Sequence, residues 1–202
     1  MIAPIALGQL HLLDIVLRFQ HQYPLIDLSW QLQDDNIRFA EVGCDCWVKI
    51  GPVPDESLIV EPLGQVERMV VAAPSFTQSK PKTPKALEKL PFVTLAPFEG
   101  GRIPLTNSQG NHGVITPSAR MSTNSITALR KATLTGLGAA VMPRWFIEED
   151  LTQQRLVDLL PQWRAPTLTV YVASLPGRHR PRRLKTFLDV LKTEVPLIPG
   201  IE

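Results

Sequence analysis

The sequence predicts an α/β protein made of two lobes, and three observations support this fold class. Near the N-terminus, apolar strand patterns over 2–5, 26–32 and 44–50 alternate with helical patterns, which is the βαβαβ order of a helix-covered parallel sheet. Further along, Ser122–Pro143 combines a helix, a glycine turn and an apolar strand. Between these regions, Pro74–Pro91 is rich in proline, lysine and serine, which indicates a boundary between lobes.

In the first βαβαβ unit, the local patterns predict where each helix begins and ends. The tripeptide Ala6-Leu7-Gly8 is predicted to turn the first strand into a helix. Apolar residues recur at helical spacing through Leu10–Tyr23, and Pro24 ends that helix. Asp34 or Asp35 is predicted to cap a short second helix that stops at a glycine.

The remaining elements follow from shorter apolar segments. The predicted strands are Leu58–Leu63, Arg68–Ala73, Phe92–Leu95, Arg155–Leu159 and Leu168–Leu175, with short β pieces expected within Pro97–Pro117 and a C-terminal helix striped by apolar residues over Leu184–Val195.

The segment Ser122–Pro143 has the clearest local signals. Asn124 is predicted to be the N-cap of a helix, because its side-chain oxygen can accept a free N–H of the first turn. Gly136 and Gly138 favour the end of that helix. Ala139–Met142 then predicts a strand buried on both faces, after which Pro143 starts another helix.

Composition limits the classes of protein that the chain can belong to. The 202 residues carry a net charge of only +2, which does not fit a strongly electrostatic nucleic-acid binder. Cys44 and Cys46 are the only cysteines, and we expect them to be buried thiols rather than metal ligands. No cofactor or metal is predicted. The N-terminus resembles no signal peptide and no apolar run could span a membrane, so we expect a soluble, cytoplasmic protein.

Several short motifs look like functional sites, but their context predicts no function for them. Gly136 and Gly138 follow a helix, whereas a dinucleotide-binding glycine turn opens one. Glu148, Glu149 and Asp150 are predicted to lie on the solvent side of a short helix. The basic run Arg178–Arg183 favours a solvated loop, with binding of a phosphate backbone as the alternative.

Five segments together resemble the effector-binding domain of LysR-type transcriptional regulators. The resemblance is specific in the order and spacing of these segments, which extend along most of the chain. They are Pro4–Gly8, Phe39–Gly51, Arg68–Phe76, Ala128–Trp145 and Leu160–Val172.

This resemblance implies a fold like that of type 2 periplasmic binding proteins, with two Rossmann-like α/β lobes joined by two crossover strands. Residues 1–72 and 173–202 would form lobe I, and residues 73–172 would form lobe II. The resemblance also implies homodimers or higher homo-oligomers, and DNA binding only through an upstream winged helix-turn-helix domain that lies outside these residues.

The resemblance further implies that a small-molecule effector binds in a cleft between the lobes. The positions carried over are Ala6, Leu7, Gly8, Gln33, Asp34, Ile50 and Gly51 from lobe I, and Thr94, Leu95, Asn124, Ser125, Met142 and Pro143 from lobe II. Relatives often have a hydroxyl side chain where this chain has Ala6, so an anion there would depend on backbone N–H groups.

The residues themselves favour a small carboxylate as the effector. Helices starting near Gly8 and Asn124 would each present free N–H groups and a partial positive charge. Two other functions are compatible with this architecture. A transporter's solute-binding protein would share the architecture but would need export, and an enzyme would need a pair of acid and base groups, whereas only Asp34 titrates among the predicted lining residues.

Overall fold

A computed structural model describes residues 1–79, 81–96, 101–177 and 181–202. In chain order the strands are β1 (Ile2–Ala3), β2 (Gln31–Leu32), β3 (Trp47–Ile50), β4 (Ile59–Ala72), β5 (Pro91–Leu95), β6 (Ile103–Asn107), β7 (His112–Ile115), β8 (Ser118–Thr123), β9 (Ala140–Pro143), β10 (Val157–Asp158) and β11 (Trp163–Ser174). The α-helices are α1 (Ile5–Leu7), α2 (Leu13–Gln22), α3 (Phe39–Val42), α4 (Pro84–Leu87), α5 (Ile126–Leu134), α6 (Arg144–Thr152) and α7 (Arg182–Glu194). A π-helical turn, Gly8–Leu12, joins α1 to α2, and 3₁₀ turns cover Pro74–Ser79 and Val195–Leu197.

The chain divides into two compact units. The first unit contains Met1–Val66 and Leu168–Glu202, and the second contains Glu67–Thr167. The chain therefore passes between the units within β4 and again within β11. The lobe bounds that the resemblance implies put the first crossing between residues 72 and 73 and the second between residues 172 and 173. Each lies a few residues further along the chain than in the structure.

The first unit is built on the parallel strands β2, β1 and β3. Ile2 of β1 pairs with Gln31 of β2 on one side and with Trp47 of β3 on the other. Strand β11 then runs antiparallel to β3, with Ala173 opposite Trp47. The rings of Phe19 in α2 and Phe187 in α7 meet edge to face at 4.8 Å, which fixes these two helices against each other.

The second unit has a mixed sheet in the order β10-β4-β9-β5-β8. Strand β4 is antiparallel to both β10 and β9, whereas β5 and β8 are parallel. An isolated parallel bridge between Phe92 and Ala139 connects β5 to β9. Phe92 and Val93 belong to different buried clusters, as expected for neighbouring residues of a strand that is covered on both faces.

The two glycines after α5 have different roles, although the sequence predicts one stop signal from both. Gly136 has a φ of 77°, so it supplies the left-handed turn that ends a helix. At Gly138 a Cβ atom would lie 2.7 Å from the carbonyl oxygen of Pro91. Gly138 therefore allows the chain to lie directly against the backbone of β5.

Some predicted strands have different bounds in the structure. The two strands expected over 58–63 and 68–73 form one strand, β4, despite Pro62 and Gly64. A Cβ atom on Gly64 would lie 2.5 Å from the Ile201 side chain, so the missing side chain admits the C-terminal segment. The strand expected over 26–32 is reduced to β2, and the strand expected from Cys44 begins at Trp47.

Candidate functional site

The lobe I residues predicted from the sequence lie at one edge of the first unit. Strands β1, β2 and β3 are parallel, so their carboxyl ends meet at the same edge of the sheet. The predicted residues directly follow or end these strands: Ala6, Leu7 and Gly8 after β1, Gln33 and Asp34 after β2, and Ile50 and Gly51 at the end of β3. We call this group the unit 1 edge. Open α/β sheets bind ligands at such carboxyl ends.

Asp34 holds the start of the first helix rather than that of the second. The N–H of Ile5 donates to Oδ1 of Asp34 at 2.9 Å, and no cap of α3 comes from Asp34, because α3 begins only at Phe39. Predicting Asp34 or Asp35 as the cap of the second helix is therefore wrong. The helical backbone begins at Ile5, before the predicted start near Gly8.

The backbone donors at the unit 1 edge differ from those expected. The N–H of Gly8 donates to the carbonyl of Pro4 at 2.7 Å, so Gly8 already belongs to the helical hydrogen-bond ladder. Ala6 and Leu7, in the first turn, have no acceptor within the helix. Leu7 is completely buried, so a backbone donor for a ligand at this helix end would come from Ala6, beside the Asp34 carboxylate.

Lys49 adds a cation that the sequence analysis missed. It precedes Ile50 in β3, it is half-buried, and its Nζ lies 5.4 Å from the centroid of the Trp47 ring. Burial lowers the pKa of Lys49, while the negative charges of Asp34 and Asp35 act in the opposite direction. The sequence could have indicated Lys49, because alternate residues of a strand, here Trp47 and Lys49, lie on the same face.

The lobe II residues predicted from the sequence lie at one edge of the second unit. Strands β5, β8 and β9 run in the same direction, so their carboxyl ends also meet. Thr94 and Leu95 end β5, Asn124 and Ser125 follow β8, and Met142 and Pro143 end β9. We call this group the unit 2 edge. Leu95 pairs directly with Thr123, and the N–H of Ala96 donates to the carbonyl of Thr123 at 2.8 Å.

Ser125, and not Asn124, caps helix α5. The Oγ of Ser125 accepts a hydrogen bond from the N–H of Ala128 at 3.3 Å, and the N–H of Ser125 donates to Oγ1 of Thr123 at 3.1 Å. Predicting Asn124 as the N-cap is therefore wrong by one position. The Asn124 side chain is exposed and takes no part in the cap, which leaves its amide accessible at the unit 2 edge.

The predicted residues differ sharply in exposure. Leu7 and Met142 are fully buried, and Met142 packs in a core cluster with Val93 and Leu129. Gln33, Asp34 and Asn124 are exposed. In this conformation the exposed polar side chains are those that a solute can reach, while the buried apolar ones maintain the shape of each edge.

Asp150 is completely buried, which contradicts its predicted place on the solvent side of α6. Its Oδ1 accepts from Nη2 of Arg130 at 2.8 Å and lies 2.7 Å from Nη2 of Arg155. Arg130 belongs to α5, so this ion pair joins α5 to α6. The error arose because the partners of Asp150 are 20 residues away in α5 and beyond the end of its own helix.

The two cysteines do not form a disulfide bond with each other. Cys44 and Cys46 are free thiols, but only Cys46 is buried, so the prediction of two buried thiols is wrong for the half-buried Cys44. Burial raises the pKa of Cys46 to about 12 and also raises that of Cys44. Within the described ranges, no group of histidine, cysteine or acidic side chains could hold a metal ion.

The basic run Arg178–Arg183 lies partly outside the described residues, since 178–180 are not included and α7 begins at Arg182. In the parts of the chain that the structure covers, no helix is long and apolar enough to cross a bilayer.

Solved structures of other proteins share this fold. The regulatory domain of CrgA, a LysR-type regulator from Neisseria meningitidis, matches with a TM-score of 0.80 at 22% identity, over 96% of each chain. The regulatory domain of the C227S variant of AphB from Vibrio vulnificus matches with a TM-score of 0.78 at 25% identity, over 95% of this chain and 97% of that one. The predicted fold class, an α/β domain like type 2 periplasmic binding proteins, is thereby confirmed.

Curated relatives are similar to this chain in sequence over most of its length. The probable HTH-type transcriptional regulator LtrA of Klebsiella pneumoniae is 23% identical over 96% of this chain, and YhjC of Escherichia coli K12 is 27% identical over 89% of it. The chain spans 65% and 62% of those two regulators, which is less than two thirds of their length. The profile of the LysR substrate binding domain matches residues 1–196, and this family is one of regulator domains rather than enzymes. The chain belongs to the LysR substrate-binding domain family.

Proposed function

We propose that this domain senses a small organic effector, and that residues of the unit 1 edge and of the unit 2 edge both contribute to its binding. The supporting observation is topological. In each unit, residues far apart in sequence gather at the carboxyl ends of parallel strands. This is where open α/β sheets bind ligands.

The chemistry of the unit 2 edge favours a carboxylate on the effector. Helix α5 begins there, and the free N–H groups of its first turn carry a partial positive charge. The accessible amide of Asn124 can donate a hydrogen bond to the same anion. Because Ser125 already accepts from Ala128, it restrains the helix end, and the other N–H groups of the first turn remain as donors for a ligand.

At the unit 1 edge, the charges favour a hydrogen-bond donor on the effector rather than a second anion. The Asp34 carboxylate already lies at the N-terminus of the first helix, and Asp34 and Asp35 together outnumber the Lys49 cation. A second anion there would therefore meet a net like charge. A hydroxyl or amino group of the effector can instead donate to Asp34. We therefore propose an organic acid that also carries a hydrogen-bond donor.

The whole protein would use this domain to regulate transcription. Effector binding would favour one arrangement of the domain and so bias its assembly on DNA. DNA would be bound by a winged helix-turn-helix domain outside this chain, in a cytoplasmic homodimer or higher homo-oligomer. A transporter's solute-binding protein is the alternative, but the relatives named above are transcriptional regulators.

A thermal-shift screen of small hydroxy and amino acids and aromatic carboxylates tests the proposal. An effector at about 100 times its dissociation constant stabilises the folded state by about 2.7 kcal/mol. For a domain of this size, that raises the melting midpoint by about 5–10 °C. Mass spectrometry should recover the ligand unchanged, whereas turnover would point to an enzyme.

A pair of variants then tests the unit 2 edge. Asn124→Ala should weaken binding of a hit while the melting midpoint of the free protein stays close to that of the wild type. Thr127→Ala, at an exposed position of α5, is the matched control and should bind like the wild type. Equal affinities for all three proteins would remove Asn124 from the site.

A further inference from the structure

Glu67 lies where the chain enters the second unit, and its carboxylate joins two arginines. Its Oε1 accepts from Nε of Arg164 at 2.6 Å, and its Oε2 accepts from Nη1 of Arg144 at 3.3 Å. The three side chains are only partly exposed, at 24% for Glu67, 32% for Arg164 and 43% for Arg144. We call these three residues the Glu67 brace.

The Arg164 arm of the brace ties together the two strands that connect the units. Glu67 lies in β4 and Arg164 lies in β11, close to the point where the chain leaves the second unit. Arg164 also pairs with Asp158 at 3.0 Å. A second tie joins the same two strands, because Nε of Arg68 donates to the carbonyl of Pro166 at 2.7 Å.

The Arg144 arm reaches the unit 2 edge. Arg144 is the first residue of α6 and directly follows Pro143, one of the predicted effector contacts. Arg68 of β4, next to Glu67, is paired with Pro143 in the sheet. Arg144 also pairs with Glu148 at 2.8 Å one turn along α6. The Glu67 carboxylate thus links the start of α6 to both connecting strands.

The electrostatics of the brace favour a charged Glu67. Burial alone would raise the pKa of Glu67, but hydrogen bonds and attraction from Arg164 and Arg144 lower it. An isolated exposed ion pair contributes little, whereas a partly buried network holds its members in one geometry.

We propose that Glu67 is a positioning residue that couples the Pro143 end of the unit 2 edge to the strands connecting the units. A displacement of Pro143 and Arg144 moves the carboxylate of Glu67, which in turn moves Arg164 in β11. This inference rests on the proposed function for its biological meaning, since the effector would be the agent that displaces Pro143. The mechanical coupling itself needs no effector.

Hydrogen exchange on the 202-residue chain, without any effector, tests the coupling. Pro143→Ala loosens the unit 2 edge by removing the fixed φ of proline. We expect exchange of the β11 amides of Trp163, Arg164 and Ala165 to become about fivefold faster, which corresponds to about 1 kcal/mol. In a Glu67→Gln background, Pro143→Ala should accelerate those three rates much less, with any remaining effect carried by the tie between Arg68 and Pro166.

Two further variants separate coupling from a general loss of stability. Glu149→Gln changes a 70% exposed carboxyl on α6, and in that background Pro143→Ala should still accelerate exchange in β11. Arg144→Gln removes the arm to the unit 2 edge together with the pair to Glu148, and it leaves the pair between Glu67 and Arg164 in place. It should weaken the effect as Glu67→Gln does, and it provides the test if the Glu67 variant fails to fold. The amide of Val48, in the first unit, reports global unfolding and should not respond in any background.

An undiminished effect of Pro143→Ala in both the Glu67→Gln and Arg144→Gln backgrounds would overturn the inference, as would no effect in the wild-type background. These outcomes are independent of the effector. A thermal-shift screen without hits would count against the proposed function and leave the brace standing, whereas failure of the exchange experiment would leave effector binding standing.

Discussion

The backbone N–H of Ile5 donates a hydrogen bond to the carboxylate of Asp34 at 2.9 Å, so a residue that follows β2 holds the start of the helix that follows β1. The two residues are 29 positions apart. Pro4 precedes the helix and cannot supply a side-chain cap, so the acceptor comes from the neighbouring strand connection. One carboxylate therefore both fastens the first helix and sets the charge of the unit 1 edge.

Replacing Asp34 should destabilise the first unit. Asp34→Ala leaves the Ile5 N–H without its acceptor and removes a negative charge from a helix N-terminus, which costs about 0.5–2 kcal/mol. Asp34→Asn keeps an acceptor and should lose less. Urea unfolding of each variant measures the free energy of unfolding. Asp35→Ala, at the exposed neighbouring position, is the control, and an equal loss for both alanine variants would contradict the capping role.

The buried carboxylate of Asp150 should make its arginine partner important for stability. Arg130→Met removes the bidentate partner and leaves Asp150 with Arg155 alone. Breaking a buried ion pair costs about 3–5 kcal/mol, and we expect the lower part of that range because Arg155 remains. Glu149→Gln, next to Asp150 but exposed, should change the free energy of unfolding by less than about 0.5 kcal/mol. A similar small change for Arg130→Met would show that the pair does not hold α5 against α6.

The two cysteines should be unreactive in the folded protein. Burial raises the pKa of Cys46 to about 12 and raises that of Cys44 as well, so the reactive thiolate is scarce at pH 8. We expect iodoacetamide to label both thiols slowly in buffer and rapidly in urea, as followed by intact-protein mass spectrometry. Fast labelling of Cys46 without denaturant would contradict its burial.

Gly138 should tolerate no side chain. A Cβ atom would lie 2.7 Å from the backbone oxygen of Pro91, and this backbone cannot move without breaking the pairing of β5. Gly138→Ala should therefore destabilise the protein by at least about 1–3 kcal/mol, as overpacking does. Gly177→Ala is the control, because no residue that the structure describes lies within 4 Å of the added atom, and it should be close to neutral. Thermal unfolding of both variants measures the difference.

The fold could be predicted where local patterns agree with the tertiary structure. The apolar runs and the helical pattern correctly predicted β5, β9 and α7, because their apolar residues are the buried ones. The period-two pattern over 26–32 yielded only β2, and the strand expected from Cys44 begins at Trp47. The break expected between Leu63 and Arg68 was wrong, because Gly64 makes room for Ile201, a residue far along the chain. No local signal carries that information.

The candidate site, like the fold, could be predicted from the sequence only in part. The positions that the resemblance implied lie at or after the carboxyl ends of strands in each unit, and their role in binding stays a prediction. The capping predictions were wrong, because Asp34 holds the first helix rather than the second and Ser125 replaces Asn124 as the cap of α5. The ion pair that buries Asp150 was also missed. These partners depend on how neighbouring strand connections lie in space, and capping rules read only the few residues before a helix.

Chemical-shift mapping on the ¹⁵N-labelled domain tests effector binding most directly. An organic acid found by the thermal-shift screen would be titrated into the protein while the amide signals are followed. We predict that the largest shifts fall on Ala6, Leu7, Gln33 and Gly51 at the unit 1 edge, and on Ala96, Asn124 and Ser125 at the unit 2 edge. Shifts confined to other surfaces, such as the β6–β7 hairpin, would contradict the proposal that these strand ends bind the effector.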